Sequence, residues 1–302
     1  LLHEDLDSLL YEMEQCEEVK PEYVKRVKQY DSPVSGMFSI SQYLKYLDCP
    51  RRYFYEYRAR LNGEAGDDHD GKEIEVSAAE KGTIIHRVLE EMLSKGIEDR
   101  TEAYYQLEAT AGEYAIHLQK EQLQGFIEDG RRFVDNYLKI EKELKSVING
   151  KRIKTFTELG FRIPVTQDRR VMLNGSVDRL DVYEEGEFID LYIIDYKTNI
   201  IRKHEDIEEK VKYYRPQMLL YSKAVKNLIR YYGKKLRSVS AYLFFLDYGE
   251  YRKIEFIPKE LEELENDLLD KINRAFKLSK LEDFEGNKGK NCIRCVYSSL
   301  CL

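Results

Sequence analysis

The hydrophobic period of this chain changes once in the middle, and that change sets the class of fold. Up to about residue 147 apolar residues recur at helical spacing, and then the period drops to two. Residues 153–166, 170–183 and 188–198 read as three strands, joined by polar turns at Gln167-Asp168-Arg169 and Glu184-Glu185-Gly186. A helix is expected at roughly 205–231, strands near 237–247 and 251–256, and a helix opened by Pro258 and running to about 280. Helices, a strand meander, a helix and further strands predict an α/β domain with a mixed central sheet flanked by helices.

The first half divides further. Residues 1–30 carry Leu6, Leu9, Leu10 and Met13 on one helical stripe, and Pro33, Ser35 and Gly36 break it, so 1–36 reads as a helical extension or linker and 37–302 as the main domain. A helix starts at Ser39 or Ser41 and runs through Tyr43, Leu44 and Leu47 to Cys49-Pro50, ahead of the aromatic run Tyr53-Phe54-Tyr55-Glu56-Tyr57. Residues 62–74 have loop composition, so Asp67-Asp68-His69-Asp70 reads as solvated loop rather than a metal site. Ser77 can cap a helix bearing Ile84, Ile85, Val88, Leu89, Met92 and Leu93, with Glu80 completing a capping box. A long helical region, roughly 101–147, carries no recognisable chemistry.

Charge limits the function classes. Charged residues make up 35% of the chain and no segment approaches the apolar length of a membrane span, so no membrane role is expected. The start, Leu1-Leu2-His3-Glu4-Asp5, has neither the signal-peptide pattern nor a Met, and predicts a cytoplasmic piece of a longer polypeptide. A formal net charge of −7 argues against a general nucleic-acid coat protein. It leaves room for an enzyme gripping phosphates through local basic clusters: Arg51, Arg52, Arg58 and Arg60; Arg131 and Arg132; Lys203, Lys210, Lys212 and Arg215. Tyrosines and phenylalanines beside such residues, as in Arg51-Arg52-Tyr53-Phe54-Tyr55 and Tyr213-Tyr214-Arg215, suit stacking on the exposed bases of a single strand.

The chemistry concentrates in Gly-Ser-Val-Asp-Arg-Leu-Asp (175–181) and Ile-Ile-Asp-Tyr-Lys-Thr (193–198). Period two puts Asp195 and Lys197 on one face of a strand, with Tyr196 pointing away and offering only its backbone carbonyl. Asp178 lies in a run whose even positions, Met172, Leu180 and Val182, look inward, and a buried carboxylate needs a partner or a cation. Asp181 better suits a structural salt bridge with Arg179. Two acids and a carbonyl make an oxygen-rich pocket for Mg²⁺ or Mn²⁺, and a lysine beside it can hold or help deprotonate a water. The two carboxylates should then lie within about 5 Å of each other, at ligand distances of roughly 2.0–2.6 Å from one ion.

Two helical positions join this pocket. His86 follows Gly82-Thr83, where the missing side chain lets another backbone come close, and Glu90 shares its face. Gln217 and Tyr221, one turn apart, can hydrogen-bond a phosphate or position Lys197. The cysteines form a separate signal. Cys292-x2-Cys295-x5-Cys301 with the distant Cys49 supplies four thiolates, leaving Cys16 spare. Four thiolates suit Zn²⁺ or a [4Fe–4S] cluster, and spacing permits both; either would clasp the C-terminal tail to the helix before Cys49.

Together these residues resemble the RecB-like branch of the PD-(D/E)XK nuclease superfamily, and within it the iron–sulfur members of AddB and Cas4 type. The resemblance runs through Gly82…His86, Gly175…Asp178-Arg179-Leu180-Asp181, Asp195-Tyr196-Lys197-Thr198, Gln217…Tyr221 and the split cysteines, over roughly 38–302. It implies a restriction-endonuclease-like core with helical insertions. By the same resemblance His86, Asp178, Asp195 and the Tyr196 carbonyl would hold Mg²⁺, Lys197 would orient the attacking water, and the cysteines would favour the cluster over Zn²⁺. It further implies a DNA nuclease, an exonuclease on single strands or ends in recombination or repair, following a helicase of UvrD/Rep type in the same polypeptide or complex. The alternative is a non-catalytic DNA-end-binding module of a helicase complex with a structural Zn or Fe–S site, against which the intact Asp178, Asp195 and Lys197 argue.

Overall fold

The structure, a computed structural model, describes residues 36–61, 77–166, 168–226, 234–289, 292–293 and 295–301. The Leu6–Met13 stripe, Cys16, the loop at 62–74, Gln167 and the helix beyond residue 226 lie outside the described residues. In chain order the elements are β1 (Gly36–Ser39), α1 (Ile40–Asp48), a short helical turn over Pro50–Tyr53 that widens over Phe54–Arg58, α2 (Ala78–Lys95), α3 (Arg100–Tyr114), α4 (Lys120–Val147), β2 (Lys151–Pro164), β3 (Val171–Glu185), β4 (Phe188–Lys197), α5 (His204–Lys226), β5 (Lys235–Phe245), β6 (Glu250–Ile254) and α6 (Pro258–Lys277). Each expected strand and helix among these residues is present. The region 101–147 is two helices, because Gln119 caps a new one in a reciprocal capping box with Gln122.

The chain divides into two compact units, one of 71–163 and 174–263, the other of residues up to 70 with 164–173 and 264–302. In the first, the sheet runs β3-β4-β5-β6 with β2 also paired to β3. β3 and β4 are antiparallel, β4 and β5 parallel, and β5 and β6 antiparallel, so the sheet is mixed. The parallel pair requires a crossover, which α5 supplies. The apolar stripe of α2 (Ile84, Ile85, Val88, Leu89, Met92) packs in one core with Leu107, Phe133, Val134 and Ile140 and with Ile194, Tyr196 and Phe244 of the sheet.

Burial on β3 corrects the one-sided expectation. Leu180 and Val182 are buried, but so are Val171, Leu173, Val177 and Tyr183, while Met172 is only partly covered. Helix packing covers both faces, so alternation cannot tell in from out. The capping expectation at Ser77 is half met. Its hydroxyl accepts from the Glu80 N–H at 3.2 Å, whereas the Glu80 carboxylate turns to His117 Nε2 at 3.1 Å instead of closing the box.

In the other unit the Gly36 N–H donates to the Arg170 carbonyl beside β3, and Ser39 caps α1 in a capping box with Gln42. Tyr53, Phe54 and Tyr55 are buried against Phe38, Tyr46, Phe284 and Tyr297. This aromatic run is core packing, so its tyrosines present no ring to a nucleic acid. Arg51 and Arg52 are committed to the Phe284 carbonyl and to Glu56.

Candidate active site

The expected side chains of the pocket arrive from α2, β3, β4 and α5, all in one unit. The last residues paired between β3 and β4 are Arg179 and Ile194, so Asp178 and Asp195 stand one step beyond the ladder on adjacent strands. With the β3 pairing ended there, the Tyr196 N–H donates to Asp178 Oδ2 at 2.8 Å. The step of two along β4 brings Lys197 Nζ to 2.6 Å from Asp195 Oδ2. Tyr196 itself turns to the opposite face, where its ring meets Tyr137 and Phe244 edge-on.

α2 approaches this strand end because Gly82 has no side chain; a Cβ there would meet Thr198 Oγ1 at 3.1 Å. His86 is thereby carried to the site, its Nε2 3.1 Å from the Tyr196 carbonyl oxygen and its Nδ1 3.6 Å from Asp178 Oδ2. Burial holds the imidazole below its ordinary pKa, against the pull of Asp195. Because its partner is a carbonyl, Nε2 is the donor, and a neutral ring then turns the Nδ1 lone pair toward the pocket. Glu90, expected on the same face, pairs with Arg87 at 2.5 Å and is not part of the pocket.

α5 closes the other side. Pro216 lacks the N–H that would bond the Lys212 carbonyl, and Gln217 follows it. The Gln217 amide donates to Asp195 Oδ1 at 3.1 Å and to Tyr221 Oη at 2.7 Å, and accepts from Lys197 Nζ at 3.4 Å. That orientation satisfies both ends of the amide at once. Gln217 thus touches the Asp195–Lys197 pair, and Tyr221 touches Gln217.

Glu158 of β2 was not singled out in the sequence. One ligand atom from each of His86, Glu158 and Asp178 lies within 4.8 Å of the others. Its backbone is left-handed, with φ 45°, and Ser176 Oγ donates to its Oε2 at 3.1 Å. In the sequence it is one acid among the scattered apolar residues Ile153, Phe156, Phe161 and Ile163, without any motif to mark it. Asp195 is not in this trio; its carboxylate is turned to Lys197 and Gln217.

The electrostatics are unbalanced. Burial and the neighbouring Asp195 hold Asp178 well above the usual carboxylate range, with Lys197 and the Tyr196 N–H opposing. Burial would depress Lys197, but Asp195 beside it keeps the ammonium above its ordinary value. Asp195 Oδ2 is buried, and the Lys197 ammonium at 2.6 Å is its charge partner. Two aspartates and a glutamate beside one ammonium, with an imidazole nitrogen among them, make the oxygen-rich donor set that fits a divalent cation. His86, Glu158 and Asp178 would hold it, with Asp195 and the second lone pair of the Tyr196 carbonyl adjoining.

On the other face of the same strands, Arg179 is 1% exposed and forks onto Glu141 at 2.8 and 2.9 Å. It also bonds Asp181 at 3.0 and 2.5 Å, the structural bridge expected for that acid.

The cysteines belong to the second unit. Asn287 links two of them: its N–H donates to Cys49 Sγ at 3.4 Å, and Cys292 Sγ donates to its carbonyl at 3.7 Å. Burial raises the Cys301 thiol, Arg51 opposes, and Cys295 and Cys49 raise it further. Tyr55 Oη donates to the Leu300 carbonyl at 2.8 Å and Tyr297 Oη to the Leu61 carbonyl at 2.8 Å, which ties the tail to the segment after α1. Cys49, Cys292, Cys295 and Cys301 are all free, and thiolates are the donors that a tetrahedral metal or a cluster takes.

Comparison with known proteins identifies the family. The sequence profile of the PD-(D/E)XK nuclease superfamily matches residues 37–302, and the chain belongs to that superfamily. It is similar to an ATP-dependent helicase/deoxyribonuclease subunit from Carboxydothermus hydrogenoformans, 26% identical over 70% of the chain and 20% of that protein. It is also similar to the helicase/deoxyribonuclease subunit of the same name from Thermoanaerobacter sp. (strain X514), 24% identical over 78% of the chain and 21% of that protein. A different protein of the same strain, an ATP-dependent helicase/nuclease subunit, is 28% identical over 56% of the chain and 14% of that protein. The chain therefore spans a seventh to a fifth of these relatives. The mixed sheet flanked by helices is the restriction-endonuclease-like core of the superfamily. Among the described residues, no helix is long and apolar enough to cross a membrane.

Proposed function

We propose that this chain is a divalent-metal-dependent deoxyribonuclease module that hydrolyses phosphodiester bonds, acting as an exonuclease on single strands or DNA ends. The observation that carries the reading is the convergence of His86, Glu158, Asp178, Asp195 and Lys197 at the end of the β3–β4 ladder, with more negative charge than the residues themselves neutralise. When bound, Mg²⁺ or Mn²⁺ supplies a polarised phosphate and a water of lowered pKa. The chain's own parts are then definite. His86 presents its nitrogen because the Tyr196 carbonyl fixes the other one. Lys197, kept charged by Asp195 and steadied by Gln217, offers its N–H groups to the water and the developing phosphate charge. Tyr221 fixes the rotamer of Gln217.

The names of the relatives support a helicase partner, in the same polypeptide or complex; a cytoplasmic role in DNA repair or recombination is part of the same proposal. Single-strand preference rests on the exposed Tyr213 beside Lys210 near the pocket. The cysteine centre of Cys49, Cys292, Cys295 and Cys301 would hold a [4Fe–4S] cluster, or Zn²⁺, as a structural clasp. With this reading goes a division into a helical extension or linker over 1–36 and the nuclease domain over 37–302.

The test is cleavage of end-labelled single-stranded and blunt duplex DNA at matched salt, with Mg²⁺, Mn²⁺ or chelator. Full activity in Asp195→Ala or Lys197→Ala protein would sink the nuclease reading. Iron, sulfide and zinc analysis of anaerobically purified protein decides the clasp: stoichiometric zinc without iron rejects the cluster, and unchanged melting of Cys295→Ser rejects both.

A further inference from the structure

Lys197 has a third neighbour besides Asp195 and Gln217. Its Nζ lies 3.9 Å from the centroid of the Tyr214 ring, close for a cation over an aromatic face. The ring is itself held. Tyr214 Oη donates to Asn199 Oδ1 at 2.9 Å, two residues beyond Lys197, and Tyr213 packs edge-on against it with centroids 4.9 Å apart. A lysine side chain has four rotatable bonds and loses much rotamer freedom when fixed. Asp195 alone fixes one direction of the ammonium, and the Gln217 contact at 3.4 Å is long.

From this arrangement we propose that Tyr214 is a positioning residue for Lys197: its ring, anchored through Asn199, covers one side of the ammonium and holds it against Asp195. The role rests on the nuclease reading. The contact does not, since it belongs to the protein without metal or DNA. Tyr214 sits three residues before Gln217, on the same face of α5. The helix therefore delivers both partners of the lysine together. The ring supplies what the two polar partners lack, an attraction that leaves the N–H groups of the ammonium free to reorient toward an incoming oxygen.

Two readouts test it. In metal-free protein, NMR of the lysine side chains should show the methylene next to Lys197 Nζ displaced by the ring current of Tyr214. The displacement should persist in Tyr214→Phe and vanish in Tyr214→Leu. In steady-state cleavage of a single-stranded oligonucleotide with Mg²⁺, Tyr214→Leu should lower kcat about 5–30-fold, the range of a desolvated cation–π contact, with KM unchanged. Tyr214→Phe should stay within about threefold of the parent, since the ring face remains. If Tyr214→Leu does not fold, a ring-fluorinated phenylalanine at position 214 keeps the shape and strips the face of negative charge; kcat should fall with fluorination. An unshifted Lys197 resonance in the parent, or a kcat indifferent to loss or fluorination of the ring, overturns the proposal. Absence of any cleavage by the parent protein overturns the nuclease reading and the positioning role with it, while the resonance alone still reports whether the contact exists.

Discussion

The two faces of the β3–β4 pair bury charge in opposite ways. On one, Arg179 is matched by Glu141 and Asp181, with Tyr137, Thr155 and Arg152 around them. On the other, Asp178 and Asp195 lie beside one ammonium, with the exposed Glu158 of β2 at the rim. Residues 178 and 179 are chain neighbours, so the same backbone carries a satisfied network outward on one side and an unsatisfied one on the other. The satisfied side ties α4 to the sheet. The other side leaves an excess of acids, and on the nuclease reading this difference separates a structural motif residue from a functional one within a single Asp-Arg-x-Asp string.

The comparison is broken most sharply at the functional face. Asp178→Asn keeps an oxygen to accept the Tyr196 N–H but removes the charge. Cleavage should fall on the order of 10³-fold or more, while metal-free melting rises, because a buried like-charge neighbour is gone. Arg179→Ala should do the reverse. Two buried carboxylates lose their cation, and stability should drop by about 3–5 kcal/mol in denaturant titration. Glu158→Gln tests whether the acid missed in the sequence belongs to the metal. Mg²⁺ affinity, read from the rise of melting temperature with concentration, should weaken roughly 10–100-fold, with metal-free stability little changed.

The smallest effect is a pH dependence on the structural face. Burial raises Glu141, but the charge and hydrogen bonds of Arg179 outweigh it and leave its pKa below 4.5. An acid depressed on folding contributes stability above its unfolded pKa and loses it as pH falls through the folded value. Parent protein should therefore lose this increment below about pH 4.5, where Glu141 in the unfolded chain protonates. Glu141→Gln should start lower and show a flatter acid limb.

The motif strings announced the functional face because each is local: alternation put Asp195 and Lys197 together, and helical spacing put Gln217 beside Tyr221. What stayed hidden depends on packing between distant elements. Glu158 reaches the site through a left-handed residue within β2, which defeats strict alternation. Asp178 looked like one inward residue among apolar neighbours because helices cover both faces of β3. Tyr53, Phe54 and Tyr55 looked like a base-stacking surface beside arginines, yet Phe284, more than two hundred residues away, makes them core.

The Tyr196 amide is bonded to a carboxylate rather than to a neighbouring strand. It is therefore a natural spectroscopic probe. Most amides in the sheet exchange with solvent only when strands part. This one also depends on the charge state and ligation of Asp178, since a cation drawing on that oxygen weakens the bond without disturbing the ladder. One backbone proton, followed during a titration with metal, would read the occupancy of the site without any substrate present.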